Sequence, residues 1–253
     1  MPCGERTVVR VYTDVMEATD GAARAQERAQ ERAQERAQQR TQKRAQQRDL
    51  VRRGYDTISL AYRGDRDDPG RYRGWVAELA GLLRPGARVV DLGCGAGVPA
   101  TRKLAERGLQ VIGVDFSAVQ LRRARRLVPA ARLVQADMAA LDFATASLDA
   151  VVSFYALIHL PLADQRALLP RIRSWLRPAG LFLAIVGAEP WSGTDRFFGA
   201  DMFWEHAGTG SYLDWLEEAG LTPVWDRFVP EGDAGHSLIL ARAPLSAPGA
   251  AVT

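Results

Sequence analysis

A glycine-rich turn follows directly on a short β-branched run that contains a single carboxylate, and it constrains the fold more than any other stretch. The run is Val89-Val90-Asp91-Leu92, and the turn is Gly93-Cys94-Gly95-Ala96-Gly97. From Ala100 onward the residues have a helical pattern, with Pro99 at its start, where a missing N–H costs little. A strand, a tight turn and a helix in succession predict a binding turn, since glycine lets the backbone approach a ligand closely.

The carboxylate of Asp91 distinguishes this turn from a dinucleotide-binding pattern. The glycines are spaced G-x-G-x-G, and Val98 stands where G-x-G-x-x-G requires its last glycine. An acid at the strand end would repel a pyrophosphate. An acid beside open backbone amides suits a ligand that carries both an ammonium and a carboxylate. S-adenosylmethionine has such an amino-acid end, and we expect it here.

Strand-like and helix-like segments alternate from Arg88 onward, which predicts an α/β fold with a Rossmann-like, mostly parallel sheet. Asp115 and Asp137 follow the second and third strands, so they join Asp91 at the carboxyl edge, where such sheets bind ligands. We expect Asp115 to accept from ribose hydroxyls and Asp137 from an adenine amino group; the alternative for each is a helix cap. The predicted strands are 89–92, 110–114, 132–136, 148–154 and 181–186, followed by a terminal hairpin of 222–229 and 236–242.

Four motifs occur in the order typical of class I S-adenosylmethionine-dependent methyltransferases. They are the stretch 89–97, Gly113-Val114-Asp115-Phe116-Ser117, Gln135-Ala136-Asp137-Met138 and Leu176-Arg177-Pro178-Ala179-Gly180-Leu181. Over roughly residues 50–243 the chain resembles this family, most closely its small-molecule branch, methyltransferase types 11 and 25. The resemblance implies a seven-stranded sheet whose last strand is antiparallel.

The resemblance also implies a role for each matched position. Asp91 and the glycines would hold the methionine end of the cofactor, Asp115 its ribose, and Asp137 with Met138 its adenine. Tyr62 resembles the tyrosine that family members place over the cofactor. The expected cofactor-binding residues are Tyr62, Asp91, Gly93, Cys94, Gly95, Gly97, Asp115, Phe116, Ser117, Ala136, Asp137, Met138 and Phe154.

Three side chains are candidates for catalysis at the methyl acceptor: Tyr155, His159 and His206. Tyr155 and His159 follow the fourth strand, where the activated methyl should face the acceptor, and an imidazole can serve as a general base near neutrality. The alternative for His159 is a structural role, because methyl transfer from a sulfonium can need alignment alone. We expect Trp204, Glu205 and His206 to point into the acceptor pocket.

The domain organisation follows from changes in composition. An N-terminal extension (1–48) precedes a helical cap (49–85), a catalytic domain (86–243) and a disordered tail (244–253). Within the catalytic domain, residues 189–208 are read as a long aromatic loop that forms a lid over an apolar acceptor pocket. The alternative for this loop is a satellite hydrophobic cluster.

The extension repeats Ala-Gln-Glu/Gln-Arg with a period of four over residues 25–48, which predicts a helix. Residues 7–12 are β-like in composition. Residues 24–48 hold eight basic and three acidic side chains, a net charge of +5, so the rest carries −2 of the formal total of +3. A nucleic-acid surface on the folded part is therefore not indicated. We interpret the repeat as a solvated helix; the alternative is a basic arm for RNA.

Several absences narrow the function further. No apolar run approaches the roughly 20 residues that span a bilayer, and no signal-peptide core opens the chain. Two cysteines, one of them inside the glycine turn, indicate a reducing compartment, so we expect a cytoplasmic protein without membrane contact. No Cys/His spacing indicates a metal.

The sequence thus predicts a methyltransferase that uses S-adenosylmethionine to methylate a small, aromatic or apolar acceptor, with natural-product biosynthesis as the expected setting. The alternatives are an RNA-directed methyltransferase and a protein that binds S-adenosylmethionine without transferring methyl. The methylated atom and the oligomeric state stay open.

Overall fold

Two compact units make up the chain, residues 1–47 and residues 48–253. The computed structural model describes residues 5–66 and 70–245, and side chains only from residue 26 onward. Most of the predicted disordered tail, residues 246–253, lies outside the described residues, as do residues 67–69 of the predicted helical cap.

The first unit is helical throughout its described part. It belongs to helix α1 (Glu5–Tyr62), whose last 15 residues, 48–62, are part of the second unit. Side chains 26–43 are exposed. The β-like run 7–12 is helical as well, so its composition was misleading. A strand needs a partner strand, whereas a helix satisfies its backbone groups within the segment.

The second unit alternates helices and strands. After α1 come α2 (Gly70–Gly81), β1 (Arg88–Leu92), α3 (Ala100–Glu106), β2 (Gln110–Asp115), α4 (Ala118–Leu127), β3 (Arg132–Gln135) and β4 (Leu148–Ser153). A 3-10 turn (Leu157–His159) leads to α5 (Leu162–Trp175), β5 (Leu176–Gly187), β6 (Trp191–Phe197), β7 (Ala200–His206), α6 (Thr209–Glu218), β8 (Thr222–Glu231) and β9 (Ala234–Arg242).

Seven of these strands form one sheet in the order β3-β2-β1-β4-β5-β9-β8. Strands β1 to β5 pair in parallel, and β9 is antiparallel to both β5 and β8. The predicted Rossmann-like sheet with a terminal antiparallel hairpin is confirmed. The chain reverses direction across the sheet between β1 and β4, and the crevice at such a switch point is where ligands bind in these folds.

Both faces of the sheet are covered. Val90, Trp175 and Phe182 belong to the core beneath α5 and α6, while Val89 and Leu104 belong to the core beneath α2 and α3. Burial on both faces explains why the central strands read as continuous apolar runs rather than as alternating patterns.

Residues 189–208 form a β-hairpin, not the long loop that the sequence predicted. Strands β6 and β7 pair in antiparallel register, and Phe198 and Gly199 make the turn with φ values of 48° and 89°. Two consecutive positive φ values match the twist of a tight two-residue hairpin. This turn has neither the Asn-Gly nor the Asp-Gly pair that typically indicates a tight hairpin in a sequence.

The hairpin packs against the end of α1. Val51 and Ile58 of the helix form a small core with Met202 and Phe203 of β7. A Cβ atom at Gly54 would lie 2.8 Å from the Met202 Cε, so glycine lets the two backbones approach. The helix and the hairpin therefore close one side of the region beyond the carboxyl ends of β1 and β4.

Candidate functional site

Three positions of the turn after β1 have backbone conformations that favour glycine. Gly93, Gly95 and Gly97 have φ values of 75°, 56° and 75°, a region that disfavours other residues. A Cβ atom at Gly93 would lie 2.2 Å from the Ala156 Cβ, and one at Gly97 would lie 2.9 Å from Val128 Cγ2. The turn is therefore pressed against the segment that follows β4.

The sequence predicts open backbone amides in this turn, but three of them are already hydrogen-bonded within the protein. Gly93 and Cys94 both donate to the Val114 carbonyl, over 2.8 and 2.9 Å, and the Gly95 amide donates to Asp115 Oδ2 over 2.9 Å. The reason is the tightness of the turn, which folds back on β2. Recognition of a charged ligand end therefore depends on side chains more than on a nest of unused N–H groups.

Asp91 ends β1 as a buried carboxylate, only 2% exposed. The Thr101 hydroxyl donates to its Oδ2 over 2.6 Å. Burial raises the Asp91 pKa to about 7; the Thr101 hydrogen bond works against this shift, and the nearby Asp115 charge adds to it. Asp91 lines a small recess together with Tyr62, Gly93 and Cys94. A carboxylate this poorly compensated favours a cationic guest.

Asp115 ends β2 and organises the start of the next helix. Its two oxygens accept the amides of Gly95, over 2.9 Å, and Ser117, over 2.8 Å. Burial raises its pKa to about 6, opposed by those two hydrogen bonds. Ser117 caps α4 by accepting the Gln120 amide and donates its hydroxyl to Asp56. Ser117 therefore stabilises the start of α4.

Asp137 follows β3 and forms an ion pair that the sequence did not indicate. Arg48 Nη1 lies 3.0 Å from Asp137 Oδ2, and the Ala139 amide donates to Asp137 Oδ1 over 2.9 Å. Arg48 Nη2 also lies 3.5 Å from Asp164. The sequence placed Arg48 in the extension, but it belongs to the second unit and lines the cleft.

One cleft at the carboxyl edge of the sheet brings most of the predicted residues together. Those that line it are Tyr62, Gly93, Gly95, Asp115, Phe116, Ala136, Asp137, Met138, Phe154, Tyr155 and His159. Asp91 and Cys94 line the adjoining recess instead. The cleft is also lined by Tyr55 of the helical cap, and by residues that the sequence did not single out: Arg48, Val51, Val114, Gln120, Ala156 and Leu160.

Gly97 and Ser117 line neither the cleft nor the recess, so their predicted direct contact with the cofactor does not match their positions. Gly97 faces Val128, and Ser117 is buried. Gly97 shapes the glycine turn and Ser117 caps α4, so both support the site without lining it. Cys94 is a buried free thiol, and burial raises its pKa well above the usual value, so it is suited to packing rather than to reaction.

His159 is held at both ring nitrogens. Its Nδ1 lies 2.7 Å from the Phe203 carbonyl oxygen, and its Nε2 lies 2.8 Å from the Tyr55 hydroxyl. Burial lowers its pKa to about 4, which the hydrogen bond to Phe203 only partly offsets. The imidazole is therefore neutral at physiological pH. The sequence identified His159 but did not predict its pairing with Tyr55, which lies 104 positions away along the chain.

Tyr155 lies two residues after the end of β4 and has φ 59°, a conformation uncommon for a bulky residue. Its hydroxyl donates to Glu231 Oε1 over 2.6 Å, and Arg71 and His236 also lie beside that carboxylate, at 2.7 and 3.1 Å. Burial raises the Glu231 pKa, but the neighbouring His236 imidazole, the hydrogen bond from Tyr155 and the Arg71 charge outweigh it and bring the pKa to about 2.

His206 does not line the cleft, which contradicts the prediction that it points into the acceptor pocket. Its Nδ1 donates to the Glu189 carbonyl over 2.7 Å, and its ring lies 6.4 Å from Trp191. Glu205 accepts the Leu162 amide at the start of α5. Only Trp204 of the predicted trio comes near a cleft residue, with its ring 5.5 Å from His159. His206 ends β7 at the base of the hairpin, with its ring 6.0 Å from that of His236.

The described residues, 5–66 and 70–245, offer neither a metal-binding cluster nor a membrane-spanning helix. No group of three or more His, Cys, Asp or Glu side chains is placed to hold a metal ion. None of the helices in this part of the chain combines the length and apolar character needed to cross a bilayer.

Comparison with known proteins identifies the family. Residues 89–180 match the family model described as a methyltransferase domain. An uncharacterized methyltransferase of Synechocystis is 33% identical over 152 residues, which cover 56% of this chain and 70% of that protein. The chain belongs to the class I S-adenosylmethionine-dependent methyltransferases. The cofactor of this methyltransferase family is S-adenosylmethionine.

Two other similarities show how far the likeness of this methyltransferase extends. A carboxy-S-adenosyl-L-methionine synthase of Aliivibrio salmonicida is 38% identical over 119 residues, 44% of this chain and 48% of the synthase. The chain thus spans about half the length of that relative. The solved structure of Burkholderia thailandensis 1,6-didemethyltoxoflavin-N1-methyltransferase, with 1,6-didemethyltoxoflavin and S-adenosylhomocysteine bound, aligns with a TM-score of 0.64 at 23% identity. That alignment covers 79% of this methyltransferase and 90% of the other chain, and it shows a shared fold.

Proposed function

We propose that this protein transfers the methyl group of S-adenosylmethionine to a small aromatic or apolar acceptor and releases S-adenosylhomocysteine. The observation that carries the proposal is the state of Asp91. This buried carboxylate has a neutral hydroxyl, that of Thr101, as its hydrogen-bond partner within the described part of the chain. An ammonium group in the recess would complete its coordination with a charge-assisted hydrogen bond.

The residues of the cleft fit the remaining parts of the cofactor. The Asp115 carboxylate accepts the amides of Gly95 and Ser117, and the Phe116 amide also contributes. A carboxylate offers about four acceptor positions, so one is left for a ribose hydroxyl. Ala136 and Met138 offer apolar walls for an adenine, with Asp137 beside them. Bound there, the cofactor supplies a methyl group on a sulfonium, whose leaving group is a neutral thioether.

Aromatic side chains form the part of the site assigned to the acceptor. The Tyr62 ring lies 5.5 Å from Phe197 and 6.0 Å from Phe198 at the tip of the hairpin. Phe154 and Tyr155 line the cleft from the β4 side. These rings favour a flat or apolar guest and exclude water, and their main contribution to methyl transfer would be alignment. The hairpin would serve as the lid.

The cellular setting is a further part of the proposal. An aromatic acceptor site supports a role in natural-product biosynthesis, and the free thiol of Cys94 suits a reducing compartment such as the cytoplasm. A small acceptor is also supported by the similar Burkholderia structure, which holds 1,6-didemethyltoxoflavin.

Isothermal calorimetry on the purified full chain tests the cofactor assignment. We expect saturable binding of both S-adenosylmethionine and S-adenosylhomocysteine, and loss of that binding in Asp91→Ala. Heating the purified protein should release one of the two compounds, which mass spectrometry would identify. A preparation that instead retains a nicotinamide or flavin nucleotide, and shows no heat with S-adenosylmethionine, would contradict the proposal.

A non-methylating use of the same cofactor is the second candidate. It is favoured by the relative named carboxy-S-adenosyl-L-methionine synthase, at 38% identity. A panel of acceptors incubated with methyl-labelled S-adenosylmethionine separates the two. Label found on an acceptor, in step with S-adenosylhomocysteine, supports methyl transfer. Label that stays on a modified sulfonium supports the second candidate.

A further inference from the structure

The hydrogen bonds around His159 fix where its proton lies. The Phe203 carbonyl oxygen can only accept, so the Nδ1 atom 2.7 Å away must carry the hydrogen. The ring is neutral, so Nε2 has a lone pair. Tyr55 must then donate its hydroxyl hydrogen to Nε2 over 2.8 Å.

Because the Tyr55 hydroxyl hydrogen points to His159, the lone pairs of the Tyr55 oxygen point away from the imidazole. In the part of the chain that the structure describes, His159 is the hydrogen-bond partner of that oxygen, and no side chain or backbone group donates to it. Tyr55 and His159 both line the cleft, with Gly93 and Tyr155. The phenol oxygen is therefore an acceptor without a donor at the edge of the proposed acceptor site.

The packing holds this oxygen in place. The Tyr55 ring meets the Tyr62 ring edge-on at 5.4 Å and the His159 ring at 5.2 Å. On its other side, the imidazole lies 5.5 Å from Trp204 of the hairpin. The phenol packs against two rings, and one of these is itself packed against Trp204. Such a phenol loses little freedom when it engages a ligand, which suits a group that must meet a reacting atom.

We propose that Tyr55 is a catalytic residue that accepts the proton of a hydroxyl acceptor and passes its own proton to His159, so that the enzyme methylates oxygen. This inference rests on the proposed function. It assigns the acceptor class as an aromatic alcohol or phenol, and it places the base in the helical cap rather than at the end of a strand.

The step balances in atoms and charge. The acceptor O–H bond breaks as its proton moves to the Tyr55 oxygen, and the Tyr55 proton moves to His159 Nε2. The acceptor oxygen takes the methyl group as the sulfur–carbon bond breaks, and sulfur keeps the electron pair. The site loses the positive charge of the sulfonium and gains that of an imidazolium, so its net charge is unchanged. The imidazolium then releases its proton to water.

An amine acceptor would not need this relay, because a neutral amine is already a nucleophile. A hydroxyl is a weak nucleophile until its proton is removed, and a positioned base typically contributes 10²- to 10⁴-fold. The relay therefore predicts a preference between matched acceptors. Catechol and 1,2-diaminobenzene have the same ring and differ in the nucleophilic atom, so we choose them as probes.

The test measures S-adenosylhomocysteine release with each probe for the full-length wild type and three variants. Tyr55→Phe removes the relay oxygen. His159→Gln can keep both hydrogen bonds, because its amide N–H donates to Phe203 and its carbonyl accepts from Tyr55, but it cannot take a proton. Tyr212→Phe is the matched control, since it removes a buried phenol oxygen that donates to Gln165 outside the cleft.

We expect the wild type to methylate catechol at least tenfold faster than the diamine. Tyr55→Phe and His159→Gln should each lower kcat for catechol at least 100-fold, with the Kd for S-adenosylmethionine within twofold of wild type. Tyr212→Phe should keep the wild-type preference.

Three results would overturn the relay: wild-type turnover of the diamine but not catechol, turnover of neither probe by enzyme that binds S-adenosylmethionine, or His159→Gln within threefold of wild type. Failure of the wild type to bind S-adenosylmethionine would contradict the proposed function instead.

Nitrogen-15 NMR of the wild-type histidines tests the relay without a variant of Tyr55. The hydrogen must be found on Nδ1 of His159; a hydrogen on Nε2 refutes the relay.

Discussion

The Thr101 hydroxyl donates to the buried Asp91 carboxylate over 2.6 Å, and this links the first turn of α3 to the end of β1. The carboxylate keeps its negative charge only at a cost, because a neutral hydroxyl does not compensate for burial. The geometry of the recess is thus set before any ligand arrives, and its charge is left to be neutralised by the guest.

Replacing Asp91 by Asn keeps the shape of the side chain and removes its charge. We expect the Kd for S-adenosylmethionine to rise about 10- to 150-fold, since a hydrogen bond to a charged group is worth about 1.5–3 kcal/mol. Calorimetry measures the change. Asp226→Asn is the control, because Asp226 is an exposed acid on β8, and it should bind as wild type does. Equal affinities in the two variants would remove the role of Asp91.

Affinity for S-adenosylmethionine should depend on pH through Asp91. Its folded-state pKa of about 7 means that the unliganded protein holds a proton there at lower pH. An ammonium ligand favours the ionised carboxylate, so binding releases that proton, and affinity should fall as pH falls below about 7, approaching tenfold per pH unit. The binding enthalpy should vary with the ionisation enthalpy of the buffer. Asp91→Asn should lose most of this dependence, leaving the smaller part that comes from Asp115.

The glycine turn should not tolerate a methyl group at its first position. In Gly93→Ala the new Cβ would lie 2.2 Å from the Ala156 Cβ, at a φ of 75°. Left-handed strain and overpacking together should lower the free energy of unfolding by about 2–5 kcal/mol and abolish cofactor binding. Gly108→Ala has nearly the same φ, 74°, with open space around its Cβ. It should lose only about 1–2 kcal/mol and bind normally. Urea unfolding and calorimetry report both quantities.

Arg48 should compete with the adenine for Asp137. The ion pair is partly exposed, with side-chain exposures of 34% and 25%, so its worth is at most about 1 kcal/mol. We expect Arg48→Gln to tighten S-adenosylmethionine binding up to about fivefold, and added salt to tighten the wild type by weakening the pair. Arg53→Gln breaks an exposed pair with Asp49 outside the cleft and should have no effect. Weaker binding in Arg48→Gln would show instead that the guanidinium holds the ligand.

The basic repeat should be dispensable for cofactor binding. A chain that begins at Arg48 retains every described residue that lines the cleft. We expect its Kd for S-adenosylmethionine to stay within twofold of the full chain. The same pair tests the RNA alternative: if the full chain retains RNA on a filter and the shortened chain does not, the repeat is a nucleic-acid arm. Equal retention removes that interpretation.

Local sequence was enough to predict the sheet and the acids at its carboxyl edge. Asp91, Asp115 and Asp137 each lie near the end of a short apolar strand or just after it. Parallel pairing of the strands then places all three at one edge. The terminal hairpin was predicted for the same reason. These features depend on short-range patterns and on general rules of sheet topology.

The partners of those residues could not be predicted, because they come from distant segments. Tyr55 reaches His159 across 104 positions, and Glu231 reaches Tyr155 across 76. The hairpin was misread because its turn uses Phe198 and Gly199, a pair without a strong turn signature. His206 was misplaced in consequence, since a loop leaves the direction of its side chains open whereas a ladder fixes it.

The contact between His159 Nδ1 and the Phe203 carbonyl has a consequence for how such an enzyme can diversify. The oxygen that sets the tautomer belongs to the main chain, and every amino acid supplies one. Side chains along the hairpin can therefore be exchanged by natural variation, reshaping what the enzyme accepts, while the protonation pattern of the imidazole is inherited intact.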